Sequence, residues 1–238
     1  MFKDTLTEGY QKMFSKDLSP EALNKFAVFK AELMYWNERI NLTTITDDRE
    51  IAIKHFLDSL SPLQEKDCLK KGRVIDIGTG AGFPGIPLKI MMPALEITLL
   101  DSLKKRLTFL DGVIEKLELE NIQTLHGRAE DYGKDPDHRE TYDYAISRAV
   151  ARMPVLLEYA LPFVKVGGFF ICQKGPGVTE ELETSKKALE VLGGEISSIR
   201  EVQLPFVERG HHVVMVKKIK KTPKNYPRQA GKPGKTPL

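Results

Sequence analysis

The chain has 238 residues, 41% of them hydrophobic, and its 36 basic and 33 acidic side chains give a formal net charge of +3. This length and composition are typical of a globular protein with one large domain and exclude a disordered chain. Two cysteines, Cys68 and Cys172, cannot form a disulfide framework and have no cluster of metal ligands around them, so we expect a cytoplasmic protein without a metal. The sequence starts without an apolar signal segment, and no run reaches the roughly 18–20 apolar residues of a membrane span, so we expect no membrane partner.

The first 70 residues predict a helical extension. The segment from Ser19 to Glu21 is a typical helix start, with a capping hydroxyl, a proline in the first turn and an acid near the helix N-terminus. A second helix start follows at Asp47. On this second helix His55 and Asp58 are three residues apart, which places them on one face. The pair predicts either a catalytic arrangement or a structural hydrogen bond that packs the helix on the core.

From residue 73 onward, apolar runs alternate with helical segments. We predict strands at 73–77, 96–101, 122–125, 142–147 and 168–172, and helices at 84–92, 102–117, 154–163 and 179–192, with Ser102 as the cap of the second of these helices. This order predicts a doubly wound α/β fold with a mostly parallel sheet. The last two β-rich runs, 195–204 and 211–219, are joined by only six residues, so no crossover helix fits and we expect a closing antiparallel hairpin.

The C-terminal end is strongly basic. Residues 217–238 contain eight Lys and Arg and no acidic residue, so this segment carries +8 while the rest of the chain carries −5. It is also rich in proline and glycine, which predicts a mobile arm that binds a polyanion; a solubilising tail is the alternative. We therefore divide the chain into a helical extension (1–70), a core (71–219) and a basic tail (220–238).

The strongest motif is a glycine-rich loop between the first strand and first helix of the core. Its sequence from Asp76 is DIGTGAGFPG, in which Gly78, Gly80 and Gly82 allow a sharp turn and close approach of a ligand. Asp101 ends the next strand, 21 residues after Gly80, where a carboxylate can hold both hydroxyls of a ribose. The pattern therefore predicts an adenosine-containing cofactor, either NAD or S-adenosylmethionine.

Three features favour S-adenosylmethionine. Asp76 precedes the glycines, where an acid can reach the amino group of the cofactor directly or through water. Pro84 stands at the start of the next helix and removes one of the N–H groups that a pyrophosphate would use. The closing hairpin is typical of the class I S-adenosylmethionine-dependent methyltransferase form of the Rossmann-like sheet, and not of dehydrogenases.

Several further segments match one family in order: WNERINLT from Trp36, HFLDSL from His55, DIGTGAGFPGIP from Asp76, LDS from Leu100, RAE from Arg128, SRA from Ser147, KG from Lys174, ER from Glu208 and YPRQAGKP from Tyr226. By these segments the chain resembles, over nearly its whole length, the bacterial 16S rRNA guanine-N7 methyltransferases, also called glucose-inhibited division protein B (GidB/RsmG). The Phe-Pro-Gly of the cofactor loop is more specific than the glycines. The final segment resembles the ending of the longer members, since shorter members lack it.

The resemblance implies methyl transfer from S-adenosylmethionine to N7 of a guanine in the decoding-region loop of 16S rRNA. The implied partner is the small ribosomal subunit or its precursor, and we expect a monomer. By resemblance the cofactor contacts are Gly78, Phe83, Ala129, Glu130 and Arg148; the residue pattern adds Asp76, Gly80, Gly82, Asp101 and Ser102.

The sequence lacks the motifs that other nucleic-acid methyltransferases use to activate a base, and methylation of guanine N7 does not need them. N7 carries a lone pair and no proton, so no general base is required and positioning should supply most of the rate. The chain has no [DN]-P-P-[YFW] motif, and neither cysteine is placed as a nucleophile. We therefore predict positioning roles for Arg148, Lys174 and Arg209. The predicted RNA contacts are Lys104, Lys105, Arg106, Lys174, Arg209, Lys220, Lys221, Lys224, Arg228 and Lys232.

Three alternatives stay open at this point. The first is a methyltransferase with another RNA or a non-RNA substrate. The second is a non-catalytic RNA-binding regulator that keeps the fold, although the intact glycine loop argues against loss of activity. The third is an NAD-dependent oxidoreductase, which a cofactor titration would distinguish.

Overall fold

The structure, a computed structural model, describes residues 1–65, 68–208 and 210–238. Its centre is a seven-stranded sheet with the order β3-β2-β1-β4-β5-β7-β6. Neighbours from β3 to β5 pair in parallel, whereas β7 is antiparallel to both β5 and β6. The predicted α/β fold and closing hairpin are therefore confirmed. The strands are β1 (Gly72–Ile77), β2 (Leu95–Asp101), β3 (Ile122–His126), β4 (Tyr142–Arg148), β5 (Val164–Lys174), β6 (Gly194–Val202) and β7 (His211–Lys218).

Helices precede the sheet and connect its strands. The N-terminal ones are α1 (Phe2–Phe14), α2 (Pro20–Ile40), α3 (Asp48–Ile51), a π-helical segment (Ala52–Leu57), α4 (Asp58–Leu60) and a 3₁₀ turn (Ser61–Gln64). The later ones are α5 (Gly85–Met91), α6 (Lys104–Lys116), α7 (Ala129–Tyr132), α8 (Met153–Ala160), α9 (Val178–Glu183), α10 (Lys186–Leu192) and α11 (Lys232–Lys235). Within the described ranges, no helix combines the length and apolar character needed to cross a membrane.

Both predicted N-terminal helix starts are confirmed by their caps. The Ser19 hydroxyl accepts a hydrogen bond from the backbone N–H of Ala22 at 3.1 Å, and a carboxylate oxygen of Asp47 accepts from Arg49 and Glu50. The helix that Asp47 starts then widens into the π-helical segment. Such wide turns are found mostly at functional sites, and this one carries His55.

Two helix predictions are wrong in detail, because in each case a side chain forms a local hydrogen bond other than the expected one. Ser102 does not cap α6; instead the Asp101 carboxylate accepts from the N–H of Leu103 at 2.9 Å, and the helix begins at Lys104. The single helix expected over 179–192 is divided into α9 and α10. The Ser185 hydroxyl at the break donates to the carbonyl of Glu181, a local bond that competes with continued helix.

The sheet separates two apolar clusters, because alternate residues of a strand point to opposite faces. Val74 packs with the N-terminal helices and α6, represented by Phe56 and Phe109. Ile75 packs with α8 and α10, represented by Leu157. The N-terminal helices therefore share one face of the sheet with α6 and reach the edge where the strands end.

The basic tail is not the mobile arm that its composition predicts. Thr222, Pro227 and Pro233 are buried, and the fully buried ammonium of Lys218 donates to the carbonyl of Leu161 and the hydroxyl of Thr222. The reason is that core side chains bind the tail: Arg139 donates to its carbonyls and Glu158 pairs with Arg228, whereas the tail lysines stay exposed.

Candidate active site

The glycine loop joins β1 to α5 at the carboxyl ends of the parallel strands, where such sheets bind ligands. Gly78, Gly80 and Gly82 all have positive φ, at 67°, 60° and 88°. A Cβ added to Gly78 would lie 2.6 Å from a methyl group of Val150. Both the backbone conformation and the close packing therefore require glycine at position 78.

Asp76 organises this loop from below. Its side chain is fully buried, and its Oδ2 accepts from the Thr79 hydroxyl at 2.7 Å and from the N–H of Gly85 at 3.0 Å. Its Oδ1 is also buried and has no hydrogen-bond partner in the described chain. Burial raises the pKa of Asp76 to about 7, against the opposing effect of these hydrogen bonds. A buried carboxylate oxygen without a donor fits a ligand that brings an ammonium group to the loop.

A first cavity of about 330 Å³ opens beside the loop. It brings together five of the predicted cofactor residues, namely Gly78, Asp101, Ser102, Ala129 and Glu130. At its edge the Asp101 Oδ2 accepts from the N–H of Gly80 at 3.0 Å and from Arg106 at 3.2 Å. Arg106, predicted to contact RNA, therefore lies at the first cavity and is held by a buried carboxylate.

Part of this cavity wall consists of residues that were not predicted from the sequence. Gly127, Arg128, Val150 and Tyr159 also line it. Gly127 and Arg128 directly follow β3, and Val150 follows β4, so the rule that ligands bind at the carboxyl ends of parallel strands could have indicated them. Tyr159 lies inside an apolar helical run, and no local pattern marks it.

Phe83 lies away from the walls of the first cavity, in the core. Its side chain is 5% exposed. The ring stacks on His55 with centroids 4.8 Å apart and an interplanar angle of 16°, and on Phe29 at 5.0 Å. The guanidinium carbon of Arg148 lies 5.2 Å from the ring centroid. Phe83 therefore links the glycine loop to the N-terminal helices and to Arg148.

A second cavity, of about 400 Å³, adjoins the first and shares Ala149 with it. Its remaining lining residues are Lys54, His55, Asp58, Arg148, Gln173, Lys174, Gly175, Glu181 and His211. Arg148 thus lines the second cavity and is absent from the lining of the first, although it was predicted to contact the cofactor.

The charged groups of the second cavity are paired. Arg148 forms an ion pair with Asp58 at 2.5 Å, and both side chains are about 15% exposed. Lys174 forms an ion pair with Glu181 at 2.6 Å and donates to the carbonyl of Ala151 at 2.9 Å. Lys174 was expected to bind RNA phosphate, but its ammonium is already bound within the protein and only 10% exposed.

Both histidines of this cavity are held away from the charged form. The Nε2 of His55 bonds to the Thr43 hydroxyl at 2.8 Å, and burial together with the nearby Arg148 lowers the pKa of His55 to about 4. Burial also lowers the pKa of His211, although Asp58, at 3.2 Å from its Nδ1, opposes the shift. His55 and Asp58, predicted as a possible pair, are instead linked through Arg148, whose guanidinium lies 2.5 Å from the Asp58 carboxylate and 3.5 Å from Nδ1 of His55.

The predicted RNA-contact residues fall into three groups. Lys104 and Lys105 are exposed in the first turn of α6, next to the first cavity, and Lys220, Lys221, Lys224 and Lys232 are exposed in the tail. Arg228 forms an ion pair with the buried Glu158 and is 18% exposed, so it is not a free cation. Arg209 lies outside the described residues.

Comparison with known proteins identifies the family. The sequence profile of the family described as rRNA small subunit methyltransferase G matches residues 22–212. The ribosomal RNA small subunit methyltransferase G of Alkaliphilus oremlandii is 52% identical over 236 residues, which cover 99% of this chain and 98% of that relative. The protein of the same name from Acetivibrio thermocellus is 56% identical over 227 residues, covering 94% and 92%.

A solved structure supports the fold independently. An S-adenosylmethionine-dependent methyltransferase from Aquifex aeolicus superimposes with a TM-score of 0.54 at 21% identity, covering 75% of this chain and 97% of that chain. Family membership confirms the predicted enzyme class. It also confirms that the predicted cofactor is S-adenosylmethionine and not a nicotinamide dinucleotide. The chain belongs to the rRNA small subunit methyltransferase G family, and it is an S-adenosylmethionine-dependent rRNA methyltransferase.

Proposed function

We propose that the protein methylates N7 of a specific guanine in the decoding-region loop of 16S rRNA. The observation that carries this proposal is the second cavity, which adjoins the cofactor cavity at Ala149 and is lined by paired charges and histidines with lowered pKa values. A base turned out of an RNA loop can enter such a cavity and meet the cofactor at the shared wall.

The groups around the second cavity suit a substrate atom that has no proton to lose. Bound S-adenosylmethionine supplies a methyl group activated by its sulfonium charge. A guanine methylated at N7 becomes positively charged, so a cavity with unpaired cations would disfavour the product. Here Asp58 compensates Arg148, Glu181 compensates Lys174, and His55 is neutral at physiological pH. We propose that these residues hold and orient the base.

The first cavity and the loop beside it supply the groups that S-adenosylmethionine needs, with Asp76 beneath the loop and outside the cavity lining. We propose that Asp101 accepts from the ribose hydroxyls, that the backbone at Gly78 approaches the cofactor closely, and that Asp76 compensates its ammonium. Asp101 lies in the cavity wall, and the free Oδ1 of Asp76 supports the third role. No step in this scheme requires a side chain to remove a proton.

We further propose that RNA phosphates lie along the carboxyl edge of the sheet. Lys104 and Lys105 oppose the dipole at the start of α6, an arrangement with a small energetic cost that a phosphate ligand would offset. The exposed tail lysines extend this basic surface. We also propose that the protein acts in the cytoplasm as a monomer; a different RNA or non-RNA substrate and a non-catalytic RNA-binding role are the alternatives.

Label transfer tests the function directly. Purified protein, methyl-labelled S-adenosylmethionine and small ribosomal subunits from cells that lack this gene are incubated together, and the digested RNA is analysed for labelled nucleosides. We expect labelled 7-methylguanosine in small-subunit rRNA. A labelled nucleoside of another kind, or label in another RNA, would overturn the assigned atom or substrate.

The second cavity predicts which cations matter for transfer. Arg148→Ala and Lys174→Ala should each lower kcat/KM by about 100-fold, because each leaves a partly buried carboxylate uncompensated where the base must be oriented. Lys165→Ala is the matched control, since Lys165 is an exposed ion-paired lysine near the other end of β5. Circular dichroism checks that each variant is folded. Wild-type activity in both Arg148→Ala and Lys174→Ala would refute their roles.

The raised pKa of Asp76 predicts a pH-dependent cofactor affinity. With a pKa of about 7, the carboxyl of the free protein is mostly protonated below that pH, and a bound ammonium favours the ionised form. Affinity should therefore rise several-fold from about pH 6 to about pH 7.5, before the α-amino group, with a pKa of about 8, begins to lose its own proton. Calorimetric titration measures this dependence.

Two controls accompany that titration. Asp76→Asn should bind S-adenosylmethionine more weakly and without the rise. Methylthioadenosine lacks the amino-acid portion and should bind wild-type protein with little dependence on pH. An equal rise for both ligands would show that Asp76 does not sense the ammonium group.

The basic surface predicts a salt effect. Replacing Lys104 and Lys105 together by Gln should reduce the slope of log affinity for small subunits against log salt by about 0.7 for each phosphate that these lysines neutralise. The control replaces Lys71 and Lys165, which are exposed near the amino ends of β1 and β5. Filter binding at several salt concentrations measures the slopes, and equal slopes in all three proteins would exclude phosphate binding at α6.

A further inference from the structure

The tail folds back along the body of the protein and is held there by a partly buried arginine. The guanidinium of Arg139 donates to three tail carbonyls, those of Thr222 at 2.7 Å, Pro223 at 3.2 Å and Tyr226 at 2.8 Å. The same group also donates to the carbonyl of Gly133, at the end of α7. One permanently charged side chain therefore fixes the tail against α7.

A second charged contact fixes the tail against α8. Glu158 on α8 is fully buried, and Arg228 of the tail donates to both of its carboxylate oxygens, at 2.9 Å through Nε and 2.6 Å through Nη2. The backbone N–H of Arg228 also donates to Glu158 at 2.8 Å. Because a buried carboxylate without a partner is costly, this two-pronged pair strongly favours the docked tail.

A third contact reaches the wall of the cofactor cavity. The N–H of Gly231 donates at 2.9 Å to Oε1 of Glu130, a 4% exposed side chain that lines the first cavity. Tyr159, the residue after Glu158, lines the same cavity. The tail thus bridges α7 and α8, the two helices that contribute Glu130 and Tyr159 to this wall.

From these three contacts we infer that residues 222–231 form a strap that positions the α7–α8 wall, and with it Glu130, for binding of S-adenosylmethionine. The strap is then part of the cofactor site, although it contributes no residue to the cavity lining. In this account Arg228 and Arg139 are positioning residues, and the exposed tail lysines remain available for RNA. The inference depends on the cofactor alone and not on which nucleotide is methylated.

The test measures cofactor binding by full-length protein without RNA. Arg228→Gln removes the charge from the strap and should weaken S-adenosylmethionine binding by about tenfold, a usual size for coupling between two parts of a protein. Arg228→Lys keeps the charge and should recover part of the affinity. Lys235→Gln removes an exposed tail charge outside the strap and should bind as the wild type does. Calorimetry gives the Kd, and kcat at saturating cofactor should change little.

A reciprocal readout separates this role from a loss of general stability. If the docked strap favours the cofactor, the cofactor must favour the docked strap by the same factor. S-adenosylmethionine should therefore slow tryptic cleavage after Lys224, a site that both proteins keep, about tenfold in the wild type and much less in Arg228→Gln.

A paired replacement covers the case in which Arg228→Gln folds poorly because Glu158 is left buried and unpaired. Arg228→Met with Glu158→Leu removes both charges and keeps an apolar contact. In every variant the Kd for cofactor should follow the rate of tail cleavage. A folded variant whose tail is released but whose Kd for S-adenosylmethionine equals that of the wild type would overturn the inference. The same holds if the rate of tail cleavage in the wild type is equal with and without S-adenosylmethionine.

Discussion

The stacking of Phe83 on the N-terminal helices connects the parts of the active site. Its ring lies against His55 and Phe29 and meets Phe56 edge-on at 5.4 Å, while the Arg148 guanidinium lies over it. Such clusters bury apolar area and restrict the angles between rings. The glycine loop cannot move outward without withdrawing this ring from its cluster. The helices that precede the sheet are therefore needed to hold the cofactor loop and the second cavity in one arrangement.

Local rules predicted those elements whose ends depend on neighbouring residues. Ser19 and Asp47 cap helices with their own side chains, and the connection before β7 is too short for a crossover helix and leaves only an antiparallel hairpin. The rules failed where a more suitable partner competes. Asp101 accepts from the N–H of Leu103 and α6 starts without the expected cap by Ser102, and Arg148 turns to Asp58, which is 90 residues away in the sequence. Spacing alone cannot rank such partners, because their distances are set only by the fold.

Composition, like spacing, could not predict how the tail is folded. Proline, glycine and lysine indicate a disordered arm, because a chain of this kind has little apolar surface to bury. Composition does not show that buried acidic side chains elsewhere in the protein need cationic partners. Glu158 lies in the apolar run from Met153 to Phe163, and glutamate is almost never fully buried without a partner. This unmatched acid was a sequence signal that a distant cation, here Arg228, must fold back onto α8.

Charge pairing governs the second cavity as well, with a different consequence. Arg148 and Lys174 are each compensated within the cavity, so they can donate hydrogen bonds to a neutral base without creating a strong positive field. Burial keeps His55 neutral at physiological pH, so its imidazole adds no further positive charge to the second cavity. In the methylation of guanine N7 that we propose, the product base is cationic, and a neutral imidazole beside it avoids the repulsion that an imidazolium would cause. The environment that lowers the pKa of His55 therefore gives a desolvated histidine a proposed use that does not involve proton transfer.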